Sequence, residues 1–388
     1  MQQEIRRRTR ALFVYFFIPG LALASWVTRT PEIRDAVSAS VAQMGIVLFG
    51  LSLGSIIGIL IAGRTIRRLG RRSTAVLGLS LVFASLVTVA LGVVLGSQLL
   101  SACGLALFGL GMGQAEIAVN VEGAGIEKLT GRPVLHKLHG CFSLGTLCGA
   151  LAGLALVALR VPVALHMLAI ALLALGLIVA FRNDIPAGNG PSPTEGTHLK
   201  SRVPVWRDRR VQLIGLIVFA MALAEGAAND WLPILMVDEH GFSTASGSLI
   251  FVAFTAAMTA GRFGGGYFIA RFGNARVIRI CAVMAGLGVA YIIFGSNPWL
   301  AGVAVLLWGL GTSLGFPVAL SAAGAGGGPA AVARVSAVAI VGYLALLVGP
   351  PGLGFLGEHF GLRHAMLVVA LLIAGASLAA PAVQPPAE

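Results

Sequence analysis

Twelve apolar segments, each near the length that crosses a bilayer, follow one another along this chain, and no other feature restricts its fold so strongly. They cover approximately residues 11–28, 41–62, 73–95, 98–120, 138–158, 162–181, 211–237, 244–270, 275–295, 299–321, 330–356 and 361–381. At ~1.5 Å per residue, about 20 helical residues span a hydrocarbon core of ~30 Å. The segments show no period-two alternation, and a lone strand in lipid leaves its backbone groups unpaired, so helices are expected rather than a barrel. Only 11% of residues are charged, against about 25% in soluble domains. Such a chain cannot clothe a water-facing surface, and the expectation is an all-α membrane protein of 12 transmembrane helices.

The formal charge of +12 would suggest nucleic acid in a soluble protein. Here the excess sits in short loops, where it sets orientation. With the N-terminus inside, Arg29, Arg34, Arg160 and Arg363 are the only four of the 27 Lys and Arg residues on the outer side. Both termini are therefore expected to be cytoplasmic. The four cysteines, Cys103, Cys141, Cys148 and Cys281, stand alone in apolar stretches, which suggests neither disulfides nor a metal site. The basic N-terminal run leads into many further spans and reads as an uncleaved first helix.

Segments six and seven are separated by 182–210, a stretch containing Asn189, Gly190, Pro191, Ser192, Pro193 and Thr194. It reads as a polar cytoplasmic linker between six-helix bundles at 1–181 and 211–388. The halves also repeat. GRTIRRLGRR at 63–72 aligns with GYFIARFGNA at 266–275, and FGLG at 108–111 with WGLG at 308–311. Trp26 aligns with Trp231. Because six spans separate the copies, both halves have the same topology, a parallel repeat suited to alternating access rather than to a channel.

The GxxxxRxGRR loop, its degenerate copy and the six-plus-six arrangement resemble the major facilitator superfamily across essentially the whole chain. The acid usual in that loop is replaced by Arg67, and by Ala270 in the second copy. AEIAVN at 115–120 and HKLHGCFSLGTLCG at 136–149 resemble the fucose-permease-like branch. EGAANDW at 225–231 and GPPG at 349–352 resemble its MosC and YbjJ inner-membrane group. The resemblance implies proton coupling at Glu116 and a sugar-cavity role for Asn120. It also implies an acid in helix one, and this chain has none between Ala11 and Thr28. Either the coupling is altered or the second acid comes from helix seven.

The residues themselves point the same way. A carboxylate in a span is costly unless it faces a polar cleft or is protonated, and Glu116 shares a helix face with Asn120 four residues on. The alternative is a polar packing pair. Helix seven supplies Glu225 and Asn229 at the same spacing as cavity candidates. Asp230 is a candidate gate, and Trp231 is either a solute platform, like Trp26, or an interfacial anchor. His139 suits either a proton shuttle or a helix-end hydrogen bond, as do His136 and His166. Glu122 and Glu127 are expected in ion pairs. The basic run with Arg64, Arg67, Arg68, Arg71 and Arg72 fits attraction to anionic lipids or a salt-bridged gate, with Arg262 and Arg271 as gate candidates in the second half. Glycines of helices five and eleven suit close helix packing.

The expected function is secondary active transport of a small polar solute in the bacterial inner membrane, with proton binding at Glu116 or Glu225 coupled to the change of access, by a monomer without cofactor. The sugar, polyol or amino-sugar class comes from the resemblance. Export of a sugar-like or amphiphilic compound is the alternative, and a non-transporting receptor or scaffold is the rival of another class. No nucleotide loop and no dense set of catalytic groups points to an enzyme.

Overall fold

A computed structural model describes residues 2–130, 134–185, 205–325 and 328–384, and every described element is helical. Most of the expected linker lies outside the described residues, as does the side chain of His136. The chain divides into two compact units, Met1–Gly196 and Thr197–Glu388.

In the first unit the helices are α1 (Gln2–Val27), α2 (Thr30–Ala36), α3 (Val41–Val94), α4 (Gln98–Thr130), α5 (Leu135–Ala158) and α6 (Val163–Phe181). Among the described residues, eleven segments of the whole chain are long and apolar enough to cross a membrane. The 54-residue α3 counts once among them, yet at about 80 Å it is far too long for one crossing. Gly70 breaks it with non-helical φ 82° and ψ 165°, which leaves two arms of ordinary span length and brings the membrane-crossing segments among the described residues to twelve. The GRTIRRLGRR stretch is therefore not an open loop. Helix runs through it, and one glycine makes the turn because a Cβ would be strained at that φ.

The second unit contains α7 (Arg209–His240), α8 (Thr244–Phe272), α9 (Asn274–Phe294), α10 (Pro298–Thr312), α11 (Gly315–Gly324), α12 (Gly328–Phe360) and α13 (Leu362–Ala379). The single segment expected at 299–321 is broken after Thr312 into α10 and α11. Short α2 carries only seven residues, too few to register as an apolar segment.

Backbone geometry supports the internal repeat. Among the described residues seven have positive φ, and six of them form pairs about 200 residues apart, Ser38 with Gly241, Gly70 with Gly273 and Arg160 with Gly361, while Gly96 has no such counterpart. Gly273 has φ 78° and ψ 161°, close to the values at Gly70. Ser40 caps α3 by accepting from the Gln43 N–H at 3.3 Å, and Ser243 caps α8 by accepting from the Ser246 N–H at 3.2 Å, so matched helices begin with the same device.

The paired FGLG and WGLG motifs have a packing explanation. A Cβ at Gly109 would lie 2.0 Å from the Leu51 carbonyl oxygen, and one at Gly111 2.4 Å from that of Gly78. These contacts press α4 against both arms of α3. In the second unit a Cβ at Gly309 would lie 2.5 Å from the Phe254 oxygen, and one at Gly311 2.5 Å from that of Cys281. There α10 meets α8 and α9 in the same way. Backbone cannot yield as a flexible side chain does, so only glycine permits these approaches. The glycines of α5 behave similarly, with a Cβ at Gly145 or Gly149 falling 2.3 Å from the Phe17 or Leu21 oxygen of α1. Those of α12 do not: Gly342 and Gly349 meet side chains, and Gly352 has only its own helix's Val348 at 3.7 Å.

Candidate functional site

In the first unit, α4 carries the polar residues of interest along one helix. Its apolar positions Ala115, Ala118, Val119 and Ile126 belong to a core shared with Tyr15 and Phe16 of α1, which fixes the rotation of the helix. Glu116 and Asn120 are both half-buried. Glu116 has no hydrogen-bond or ion-pair partner among the described residues, and the buried Oδ1 of Asn120 likewise accepts nothing. Gln114 serves a different purpose, donating to the Gly58 carbonyl of α3 at 3.0 Å.

Further along α4, Glu122 is 1% exposed and holds two arginines. Its Oε1 accepts from Arg8 Nε of α1 at 2.7 Å, and its Oε2 lies 2.8 Å from Arg71 Nη1 at the start of the second arm of α3. Glu127 accepts from the Val134 backbone N–H. Arg64 and Arg68 are exposed and pair with no acid among the described residues. His139 of α5 is exposed, with its ring edge-on to Phe16 at 5.1 Å.

The second unit brings together two residues that the sequence left apart. Arg262 of α8 donates through Nη2 to Glu225 Oε1 of α7 at 2.7 Å. Beside that pair, the buried Trp308 of α10 donates its indole N–H to the Ala224 carbonyl at 3.1 Å and packs edge-on against Phe254. The sequence held a clue to this contact, since its counterpart in the first half is Phe108, which has no N–H to place. Asn229 is half-buried, and Asp230 is buried with no partner among the described residues. Arg271 of α8 is exposed, donating to the Tyr267 hydroxyl at 3.1 Å with its guanidinium over the Phe272 ring.

Trp26 and Trp231 are 1% and 0% exposed, each with an unpartnered indole N–H. Full burial is incompatible with anchoring at a lipid interface, where the ring's polar edge must reach water. Sequence reasoning missed a buried cluster near the end of α1. Arg29, fully buried, donates to Glu32 at 2.6 Å, to the Val161 carbonyl at 2.7 Å and to His166 Nδ1 at 3.2 Å. Because Nδ1 accepts there, the His166 proton is assigned to Nε2, and the ring is neutral. No motif marks the contact, because Arg29 and His166 stand 137 positions apart.

The profile of the Major Facilitator Superfamily matches residues 2–122 and 137–350. The chain belongs to that superfamily. It is 31% identical over 380 residues to the uncharacterized transporter y4wD of Sinorhizobium fredii, covering 96% of this chain and 97% of that one. Its identity to membrane protein MosC of Rhizobium meliloti is 27% over 375 residues, covering 95% and 89%. The fold matches the crystal structure of the nucleoside transporter NupG with TM-score 0.76 and 14% identity, over 97% of this chain and 98% of that one. A structure of the E. coli fucose:proton symporter FucP matches with TM-score 0.63 and 18% identity, over 96% and 97%. As a member of the major facilitator superfamily, the protein is a secondary transporter of a small solute and not an enzyme. It is a multi-pass helical protein with bacterial relatives, which places it in the inner membrane, since the bacterial outer membrane is crossed by barrels.

Proposed function

We propose that this superfamily member couples proton movement to the passage of a small, hydroxyl-bearing polar solute of the sugar, polyol or amino-sugar class, by alternating access. The observation that carries the proposal is the Glu116 and Asn120 pair, one helical turn apart on α4 with neither side-chain acceptor partnered among the described residues. Polar groups left unpaired within a span are expensive, and their retention is explained if a proton and a solute complete them. The protein belongs on this reading to the fucose-permease-like branch, near MosC. The solutes in the names of its structural neighbours, a nucleoside and fucose, both carry ribose-like or hexose-like hydroxyls.

The proposed roles are proton transfer at Glu116 and in α7, with His139 as a shuttle, and solute contact at Asn120, Asn229, Trp26 and Trp231. Gating falls to Arg64, Arg68, Arg71, Arg262 and Arg271, with anionic lipids at the exposed arginines and the monomer as the working unit. The test is a thermal-shift series of sugars, polyols and amino sugars on the purified protein, followed by flux in proteoliposomes under an imposed proton gradient. A true solute at a hundred times its Kd stabilises the folded state by about 2.7 kcal/mol. Flux indifferent to the gradient would remove the coupling, and no solute-dependent flux in the series would remove the solute class.

Both termini are proposed to be cytoplasmic, from the arginine distribution. Single cysteines at Thr65 and Asn274, in a background lacking the four native ones, are expected to label only from the cytoplasmic side. Both are also expected to change reactivity in the same direction when solute is added. Labelling from opposite sides would end the parallel-repeat reading, whereas shared sidedness with unchanged reactivity would remove these turns from the gate.

A further inference from the structure

Three carboxylates stand well inside the spans, Glu116 on α4 and Glu225 and Asp230 on α7, and their surroundings differ. Glu225 is matched by Arg262 at 2.7 Å. Asp230, five residues further along, is 8% exposed with no partner among the described residues. It lies about 15 Å from the end of α7 at His240. We infer that Asp230, rather than Glu225, is the α7 carboxylate that binds and releases the proton, while Glu225 serves as the counter-charge of Arg262. This inference rests on the proton-coupled reading above for its place in transport, not for the chemistry of the site.

The charged groups on the elements packed against α7 are committed elsewhere. Helices α10 and α11 carry none. On α8, Arg262 serves Glu225 and Arg271 serves the Tyr267 hydroxyl. On α12, Arg334 donates to the Ala323 and Ala325 carbonyls, His359 bonds the Phe355 carbonyl, and Glu358 has a partner of its own. On α13, Arg363 donates to the carbonyls of Ile292, Ile293 and Gly295, and His364 bonds that of Phe360. At the ends of α7 itself, Arg210 donates to the Ala382 and Gln384 carbonyls, Glu239 accepts from the Leu362 N–H, His240 bonds the Ile292 carbonyl, and Asp238 is also engaged. Arg207 and Arg209 lie at the opposite end of the helix, more than twenty residues from Asp230.

The consequence is a difference in what a proton does at each site. Neutralising Glu225 strips Arg262 of its counter-charge and leaves an uncompensated cation within the span. Neutralising Asp230 removes an uncompensated anion and leaves nothing stranded. A group of this second kind takes a proton when buried and gives it up when water reaches it, which is the behaviour a coupled transporter requires of one of its acids.

Infrared difference spectra of the full-length protein in lipid, recorded between acidic and alkaline buffer in water and in deuterium oxide, report protonated carboxyls without any solute. Asp230→Asn is expected to remove one component of the carboxyl C=O band, and Glu225→Gln to leave the band unchanged. Asp230→Glu, which keeps the acid, is expected to restore the lost component at a shifted frequency and guards against a merely misfolded Asn variant. A band that survives Asp230→Asn and vanishes in Glu225→Gln would overturn the inference, as would the absence of any titrating carboxyl in the wild type. An Asp230-dependent band in a protein whose solute flux ignores the proton gradient would uphold the proton site while defeating the coupled-transport reading.

Discussion

Glu116→Gln is expected to abolish uphill accumulation of the solute while leaving its exchange across the membrane intact. One proton moving through a membrane potential of about 100 mV supplies ~2.3 kcal/mol. At ~1.4 kcal/mol per factor of ten, that sustains roughly fiftyfold accumulation of a neutral solute. A glutamine at position 116 keeps the shape and a hydrogen-bonding oxygen but takes up no proton, so accumulation falls to simple equilibration. Counterflow, in which labelled solute exchanges against unlabelled solute with no gradient, needs the binding site but not the proton cycle, and stays near the wild-type rate. The side chain is half-buried and has no partner among the described residues, which makes the substitution mild for folding. Wild-type accumulation in Glu116→Gln would mean that this carboxylate is a packing group.

The largest stability effect is expected at Glu122. Its carboxylate is buried between Arg8 of α1 and Arg71 of α3, and it ties three helices of the first unit at one point. Removing one partner of a buried ionic cluster costs about 3–5 kcal/mol, because the surviving charges are left without compensation. In Glu122→Gln two guanidiniums would face each other across a neutral amide. The unfolding temperature of the purified protein should drop sharply, and adding Arg71→Gln should recover part of the loss by relieving the repulsion, a coupling measurable in a double-mutant cycle. Equal stability of Glu122→Gln and wild type would show that water already solvates the cluster. The same geometry gives Arg71 a partner within its own unit, so a gating role for it requires that the Glu122 contact be broken in the cycle.

The membrane-crossing helices were legible in the sequence because lipid imposes conditions on each segment separately. A span must supply about twenty apolar residues wherever it lies, and its backbone must satisfy itself within the helix. Likewise, the repeated glycines at 70 and 273 mark a backbone conformation that other residues reach only at a strain. The motif pair at 108–111 and 308–311 was visible as a repeat, although its meaning as close backbone contact needed the neighbouring helices. Where helix continued through the basic stretch before Gly70, the sequence misled, since polar arginines look like loop but are good helix formers.

The partners of the polar side chains were decided by tertiary structure alone. Successive residues on a helix turn by about 100°, so whether Glu225 meets Arg262 while Asp230 has no polar partner among the described residues depends on how α7 and α8 are rotated and how far one has slid along the other. Neither quantity is written in a window of sequence. The same applies to Arg29 and His166, and to Arg8, Glu122 and Arg71, whose positions are separated by scores of residues and whose contacts arise only when the helices carrying them are packed. Apolar length is a local property that each segment carries within itself, whereas the pairing of a buried charge is a property of two surfaces, and only the folded unit brings those surfaces together.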